Sequence, residues 1–151
     1  MRTGKIGAGE TCLYISCSRK ADRRLVVSRT DENLKIAFAN ESQTNVEYLA
    51  YAHQAMEEGL MEMAQLFREA AGAEIVHALS HLKVMGVVKS TKENLREAAE
   101  GESLEILSMY PKFIEEAESE GREEAANSFR IAFEREKHHR SMFQQALKHM
   151  G

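Results

Sequence analysis

The sequence has few of the residues that interrupt helices or build strands. It contains one proline, Pro111, and no tryptophan among 151 residues, and β-branched residues are sparse. Ala, Glu, Leu, Met and Lys dominate from residue 31 onward, which is typical of a helical bundle. No apolar run approaches the roughly 20 residues that cross a membrane. The length predicts one domain with a substantial core.

Cysteine is equally scarce, with Cys12 and Cys17 as the two thiols. A helical composition without a secretory signal argues against a disulfide framework, so we expect free thiols in a reducing cytoplasm. Zinc and rubredoxin-type sites use close Cys-x-x-Cys pairs, and neither the spacing of these cysteines nor a second pair supports one.

The net charge of −4 is distributed unevenly along the chain. Residues 1–30 hold seven Lys or Arg against two acids, whereas residues 31–151 hold thirteen against twenty-two. An acidic main domain argues against a nucleic-acid surface. We expect residues 1–30 to form a poorly ordered basic arm, because their apolar residues do not recur with the spacing of a helix or a strand. Their composition resembles a transit peptide, but no amphipathic stripe supports that role.

Four helices are predicted after the arm, over residues 31–58, 60–85, 91–120 and 122–149. The first three helices are predicted to end at Gly59, Gly86 and Gly121, since glycine adopts the left-handed conformation that ends helices. Ser90 and Glu93 have the spacing of a capping box. Pro111 predicts a bend in the third helix. The result is an all-α domain of two helical hairpins.

Charged residues interrupt the apolar stripe of each predicted helix. In AEIVHALSH, residues 73–81, Glu74 and His77 stand where steps of three and four place core side chains. Glu136 and His139 repeat this Glu-x-x-His pattern in the fourth helix. The other two helices add acids on their stripes, namely Glu41, Glu102 and Glu105. Glu41 precedes Glu74 by 33 residues and Glu102 precedes Glu136 by 34, which indicates a repeated hairpin.

Five carboxylates meeting in a core could not all ionise without cations. Ferritin-like di-iron bundles use one Glu from each of two helices and Glu-x-x-His from the other two. Oxygen and imidazole ligands suit iron or manganese. One Glu-x-x-His alone is common by chance on surface helices, but two of them with three facing acids predict a two-metal site. We expect His53, His81, His138 and His149 to be satisfied or exposed, with His81 also able to support a metal ligand.

Four segments resemble the rubrerythrin family and span nearly all of residues 31–147. They are ENLKIAFANESQTNVEYLAYA, FREAAGAEIVHALSHL, AAEGESLEILSMYPKFIEEAESEG and AFEREKHHRSMF. The resemblance implies that two iron ions, with manganese or zinc as possible substitutes, bind at Glu41, Glu74, Glu102, Glu105, Glu136 and His139. It implies that His77 exchanges with Glu105 as one iron moves on oxidation. It places Tyr48 and Tyr110 beside the site, where a phenol can hydrogen-bond a ligand carboxylate.

The same resemblance implies an oxidoreductase whose di-ferrous site reduces hydrogen peroxide to water. Full-length members have a C-terminal rubredoxin domain with two Cys-x-x-Cys pairs, and this sequence has none. We therefore expect an NADH-linked peroxidase that depends on an external rubredoxin or a similar electron carrier. A ferroxidase or iron-handling ferritin-like protein is the alternative. A metal-free interaction module is disfavoured by the clustered carboxylates.

The link between the second and third helices is short. In a single-chain ferritin-like bundle these helices run in the same direction, so their link must travel the bundle's length. A helix of about 26 residues is roughly 39 Å long, whereas residues 86–90 reach at most about 18 Å. We therefore expect a homodimer that exchanges hairpins, with Glu41, Glu74 and His77 from one chain and the other ligands from its partner.

Overall fold

The computed structural model of the chain describes residues 28–151. This part contains five α-helices and a π-helical turn: α1 (Arg29–Glu57), α2 (Met61–Met85), α3 (Thr91–Leu104), the π turn (Glu105–Met109), α4 (Tyr110–Ser119) and α5 (Glu123–His149). The first hairpin is α1 with α2, and the second hairpin is α5 with the continuous run of α3, the π turn and α4. The predicted all-α fold of two hairpins is confirmed. None of these helices is long and apolar enough to cross a bilayer.

The first helix begins two residues before its predicted start. The backbone N–H of Asp31 donates to Ser28 Oγ over 3.1 Å, and the Asp31 carboxylate accepts from the Ser28 N–H over 3.2 Å. This capping box satisfies backbone donors at the start of α1. The last residues assigned to the basic arm therefore belong to the helical domain. The rest of the arm, with Cys12 and Cys17, lies outside the described residues.

Both hairpins turn in the same way. Gly59 has φ +77° and is followed by a bond from the Leu60 N–H to the Ala55 carbonyl at 2.8 Å. Gly121 has φ +68° and is followed by an equivalent 2.8 Å bond from Arg122 to Ala117. A left-handed residue with a bond spanning five positions is the Schellman helix end, which glycine adopts without strain. The predicted repeat is therefore visible in the turns.

The third predicted helix contains a π turn rather than a simple bend. In a regular α-helix the ring of Pro111 would clash with the carbonyl of Leu107, four residues earlier. The wider π turn immediately before Pro111 accommodates the ring, and the Tyr110 N–H donates to the Glu105 carbonyl five residues back. The proline predicted a distortion, but not that it takes the form of a widened turn.

Alanine dominates the seam inside each hairpin. The buried apolar residues are Ala52, Ala55, Ala64, Ala71 and Ala78 in the first hairpin, and Ala99, Ile106, Ala117 and Ala126 in the second. Small side chains let the helices approach closely. Met63 lies on the same stride of three and four residues as Glu74 and His77, which predicts a core position, yet it is 45% exposed. The buried alanines lie one position further along because they face α1, whereas the predicted stripe faces the ligand side of the hairpin.

The helices of the two hairpins stay apart within the part of the chain that the structure describes. No Cα atom in the helices of one hairpin lies within 8 Å of a helix of the other. Large apolar side chains remain exposed on both, including Leu66 at 59% and Ile131 at 70%. Each hairpin therefore has an exposed apolar face that no helix of the other hairpin covers within residues 28–151.

The cap at Ser90 gives the first prediction. Ser90 Oγ accepts from the Glu93 N–H, and the Glu93 carboxylate accepts from the Ser90 N–H and O–H groups. We expect Ser90→Ala to lower the free energy of unfolding by about 1 kcal/mol, measured by urea denaturation at fixed chain concentration. Ser80→Ala, at an exposed position inside α2, is the matched control. It should not lower stability and should raise it by at most about 0.5 kcal/mol, because alanine has the higher helix propensity.

The same cap predicts a pH dependence. Hydrogen bonds from Ser90 hold the pKa of Glu93 below its usual value. A carboxyl with a lowered pKa contributes stability that is present above its ordinary pKa and is lost as pH falls through the lowered one. The effect of Ser90→Ala should therefore shrink in acid. An effect equal to that of the control at neutral pH would contradict the assignment.

Candidate metal centre

The first hairpin brings Glu41, Glu74 and His77 together, and we call these the first ligand group. One ligand atom from each lies within 4.8 Å of the others. Residues three apart on a helix share a face, and His77 Nδ1 lies 3.1 Å from Glu74 Oε2. The register that brings Glu41 opposite is held by Asn45, whose Nδ2 donates to the Ala71 carbonyl over 2.7 Å.

The second hairpin repeats this arrangement with Glu102, Glu136 and His139, the second ligand group. These ligand atoms also lie within 4.8 Å of one another. His139 Nδ1 is 2.7 Å from Glu136 Oε2 and 3.9 Å from Glu102 Oε1. The repeat seen in the sequence therefore brings the same three residue types, two Glu and one His, together in both hairpins.

The two carboxyls in each group shift each other's pKa in opposite directions. The hydrogen bond with Glu74 raises the pKa of Glu41 and lowers the pKa of Glu74. In the second group, burial followed by the bond with Glu136 raises the pKa of Glu102, and the pKa of Glu136 is lowered by that bond. The pKa values of the two carboxyls in each pair are therefore moved apart, because two adjacent anions repel. A divalent cation bound between the carboxylates would offset that repulsion.

Glu105 and Tyr110 are neighbours because of the π turn. Residues five apart point about 140° away from each other in an α-helix, but the wider π turn returns them to one side and links them by a backbone bond. Burial raises the pKa of Tyr110, and the Glu105, Glu136 and Glu102 carboxylates add to the rise. Tyr110 therefore lies beside the second ligand group, as predicted, and Glu105 is half-buried next to that group without being part of it.

Tyr48 is part of an aromatic cluster in the first hairpin. Its ring centroid is 6.2 Å from Phe67 and 6.1 Å from Tyr51, and Tyr51 is 5.5 Å from Phe67. Tyr48 lies two turns along α1 from Glu41.

His81, which was predicted to be able to support a metal ligand, lies near Glu41. Its positive charge would offset part of the rise in the pKa of Glu41.

The structure brings together six of the seven predicted ligands in two groups, but it does not join the groups. They stand on hairpins that make no contact in the described residues. That these side chains bind metal stays a prediction. The sequence did not predict that Asn45 bonds across the hairpin to Ala71. Its position one turn from Glu41, on the same face of α1, was the signal that could have indicated this contact.

The donor atoms fit the metals that were expected. Each group offers two carboxylates and one imidazole, and no cysteine lies in residues 28–151. Such oxygen and nitrogen sets suit iron and manganese, with zinc also able to accept them. Each group also leaves coordination positions that ligands from a facing hairpin can fill.

Comparison with known proteins agrees with this chemistry. The rubrerythrin family model matches residues 32–147. The chain is 36% identical to the rubrerythrin of Porphyromonas gingivalis over 136 residues, which cover 82% of this chain and 68% of that protein. It is 37% identical to the nigerythrin of Nitratidesulfovibrio vulgaris over 123 residues, covering 72% of this chain and 61% of that protein.

A solved structure of nigerythrin in its fully reduced, all-ferrous state is 31% identical and covers 87% of this chain and 72% of that chain. Its TM-score of 0.41 is too low to support an argument about the fold. The family assignment rests on the sequence matches, which extend over both ligand groups. The predicted di-iron cofactor is confirmed at the level of the family. The chain therefore belongs to the rubrerythrin family of ferritin-like di-iron proteins.

Proposed function

We propose that this protein is a peroxidase, an oxidoreductase that reduces hydrogen peroxide to water at a non-haem di-iron centre. The observation that carries the proposal is the presence of two matching ligand groups, each with its ligand atoms within 4.8 Å. With one further carboxylate, they supply a complete set for two metal ions: Glu41, Glu74, His77, Glu102, Glu105, Glu136 and His139. When bound, two ferrous ions supply the two electrons that cleave the O–O bond of peroxide.

The side chains divide into fixed and movable ligands. The side chains of Glu74 and Glu136 are 19% and 18% exposed, and each is hydrogen-bonded to the histidine of its own motif. These contacts suit ligands that keep hold of the metals. His77 is 55% exposed and Glu105 lies outside both groups. The exposure of His77 and the position of Glu105 outside the two groups support an exchange of these ligands when the oxidation state changes.

The two tyrosines would orient the carboxylates and provide hydrogen bonds. Because burial and the surrounding carboxylates raise its pKa, the Tyr110 phenol keeps its proton at neutral pH. A protonated phenol donates a hydrogen bond, so Tyr110 can hold a carboxylate of the second ligand group in place. Tyr48 is proposed to serve the first group in the same way.

A complete centre requires the two hairpins of different chains to meet. Only residues 86–90 separate α2 from α3, and they reach at most about 18 Å, whereas α2, with 25 residues, is about 38 Å long. The first hairpin of one chain would therefore pack on the second hairpin of its partner. Each centre then draws Glu41, Glu74 and His77 from one subunit, and the exposed apolar faces become the core of a homodimer.

The electrons would come from outside this part of the chain. An iron–sulfur donor of the rubredoxin type needs cysteines, and residues 28–151 contain none. We therefore propose NADH-linked re-reduction in the cytoplasm through an external rubredoxin or a similar carrier. Iron oxidation and handling would be the role instead if dioxygen proved to be the better oxidant.

Stopped-flow oxidation of the di-ferrous protein tests the activity. We expect hydrogen peroxide to oxidise the centre at least tenfold faster than dioxygen at equal concentration, a difference of about 1.4 kcal/mol in barrier height. Absorbance of the ferric product follows the reaction. An equal or faster reaction with dioxygen would reject the peroxidase and favour a ferroxidase.

Removing single ligands tests the division into fixed and movable side chains. Glu74→Ala and Glu136→Ala should each prevent the paired di-iron centre from forming, because each removes a mostly buried carboxylate from a Glu-x-x-His motif. His77→Ala should keep most of its iron and slow peroxide turnover instead. Iron content and turnover are measured on the same samples. Equal iron loss in all three variants would show that His77 is an ordinary fixed ligand.

Mixing two inactive chains tests the exchange of hairpins. A Glu74→Ala chain is refolded with a Glu136→Ala chain, and co-assembly is verified by differential tags. An exchanged heterodimer has one damaged centre and one intact centre, so activity should recover in the mixture, whereas chains without exchange would recover none. Inactive heterodimers would rule out the exchange. Mixtures of each variant with itself are the control.

A further inference from the structure

Each ligand group is complete within its own hairpin. Glu41 comes from α1, and Glu74 with His77 from α2; Glu102 comes from α3 and the other two from α5. The two groups lie on hairpins whose helices stay more than 8 Å apart by their Cα atoms in the described residues. Neither group therefore depends on the other hairpin for its geometry.

Contacts away from the metal ligands hold each hairpin in register. In the first, Asn45 bonds the Ala71 carbonyl across the seam. In the second, the Arg130 guanidinium pairs with Glu118 on α4 and with Glu123 on its own helix. Ring contacts add to both, with Phe113 and Phe129 5.6 Å apart in the second hairpin. All of these contacts are made within one hairpin, so neither ligand group needs side chains of the other hairpin to hold its register.

The negative charge of the carboxylates favours metal binding before the hairpins pair. The two ligand groups contain two carboxylates each, and Glu105 adds another on the second hairpin. Bringing two such faces together without cations would place at least four carboxylates in one core, which opposes pairing. One divalent cation balances the two carboxylates of a group. A loaded hairpin then presents a near-neutral face that apolar surface can cover.

We propose that each helical hairpin is a mononuclear divalent-metal site that loads before the hairpins pair, so that the di-metal centre forms by joining two loaded hairpins. This rests on the ligand set of the proposed function and extends it to assembly. Two carboxylates and one imidazole on each hairpin would bind one ion, and water would occupy its remaining positions. Pairing replaces those waters with carboxylates from the facing hairpin.

Metal counting in half-site variants is the first test. We expect Glu41→Ala/Glu74→Ala and Glu102→Ala/Glu136→Ala each to bind about one Co²⁺ per chain, against about two for the native chain. Cobalt is measured by mass spectrometry after dialysis, and circular dichroism confirms that the helices persist. Glu69→Ala and Glu134→Ala, at exposed positions on the same helices, are matched controls that should keep two. No bound cobalt in either double variant would overturn the proposal, since it would mean that the two groups bind only as a unit.

The native chain provides a second test that does not depend on the variants folding. Metal-free chain is diluted and examined by native mass spectrometry before and after Co²⁺ is added. We expect metal-free monomers, then monomers carrying one or two Co²⁺, and dimers that increase with loading. Metal found only in dimers, or metal-free chains that stay dimeric on dilution, would contradict loading before pairing. Neither result bears on peroxide turnover, so the failure of this proposal is distinguishable from the failure of the peroxidase.

Discussion

The structure depends on how a set of carboxylates is accommodated on faces that are otherwise apolar. In residues 28–151 no charged or polar side chain is fully buried, and the side chains of Glu74, Glu102 and Glu136 are 18–19% exposed. In each hairpin the pKa of one carboxyl is raised and that of its neighbour is lowered. Closing a core over these acids would need a cation, because burial of unpaired anions is expensive.

Local chemistry explains why most of the fold was predictable. Gly59, Gly86 and Gly121 have positive φ where the helices end, and the capping box at Ser90 starts α3 as expected. The π turn was not predictable, since a proline can be accommodated by a kink, a break or a widened turn. The buried alanines were also missed. Periodicity marks a wide apolar face, but it does not say which edge of that face meets which neighbouring helix.

Contacts within one helix of the candidate site were predictable from the sequence, whereas contacts between helices were less so. Glu74 with His77 and Glu136 with His139 could be paired from their spacing alone, because residues three apart share a helix face. That Glu41 meets Glu74 depends on the register between α1 and α2, which the Asn45 contact helps to set. The short connector predicts that the two ligand groups meet across a dimer, whereas the contacts within residues 28–151 do not bring the groups together.

The thin alanine seam has a consequence for how the protein behaves as its abundance changes. A hairpin whose buried residues are almost all alanine gains little hydrophobic stabilisation by itself, since alanine removes little apolar area from water. In an exchanged dimer, a second chain would cover the apolar side chains that each hairpin leaves exposed. Stability would then rise with protein concentration by mass action, as in obligate dimers. Newly made chains at low abundance would expose Leu66, Ile131 and similar side chains, and would be substrates for chaperones and proteases until they meet a partner.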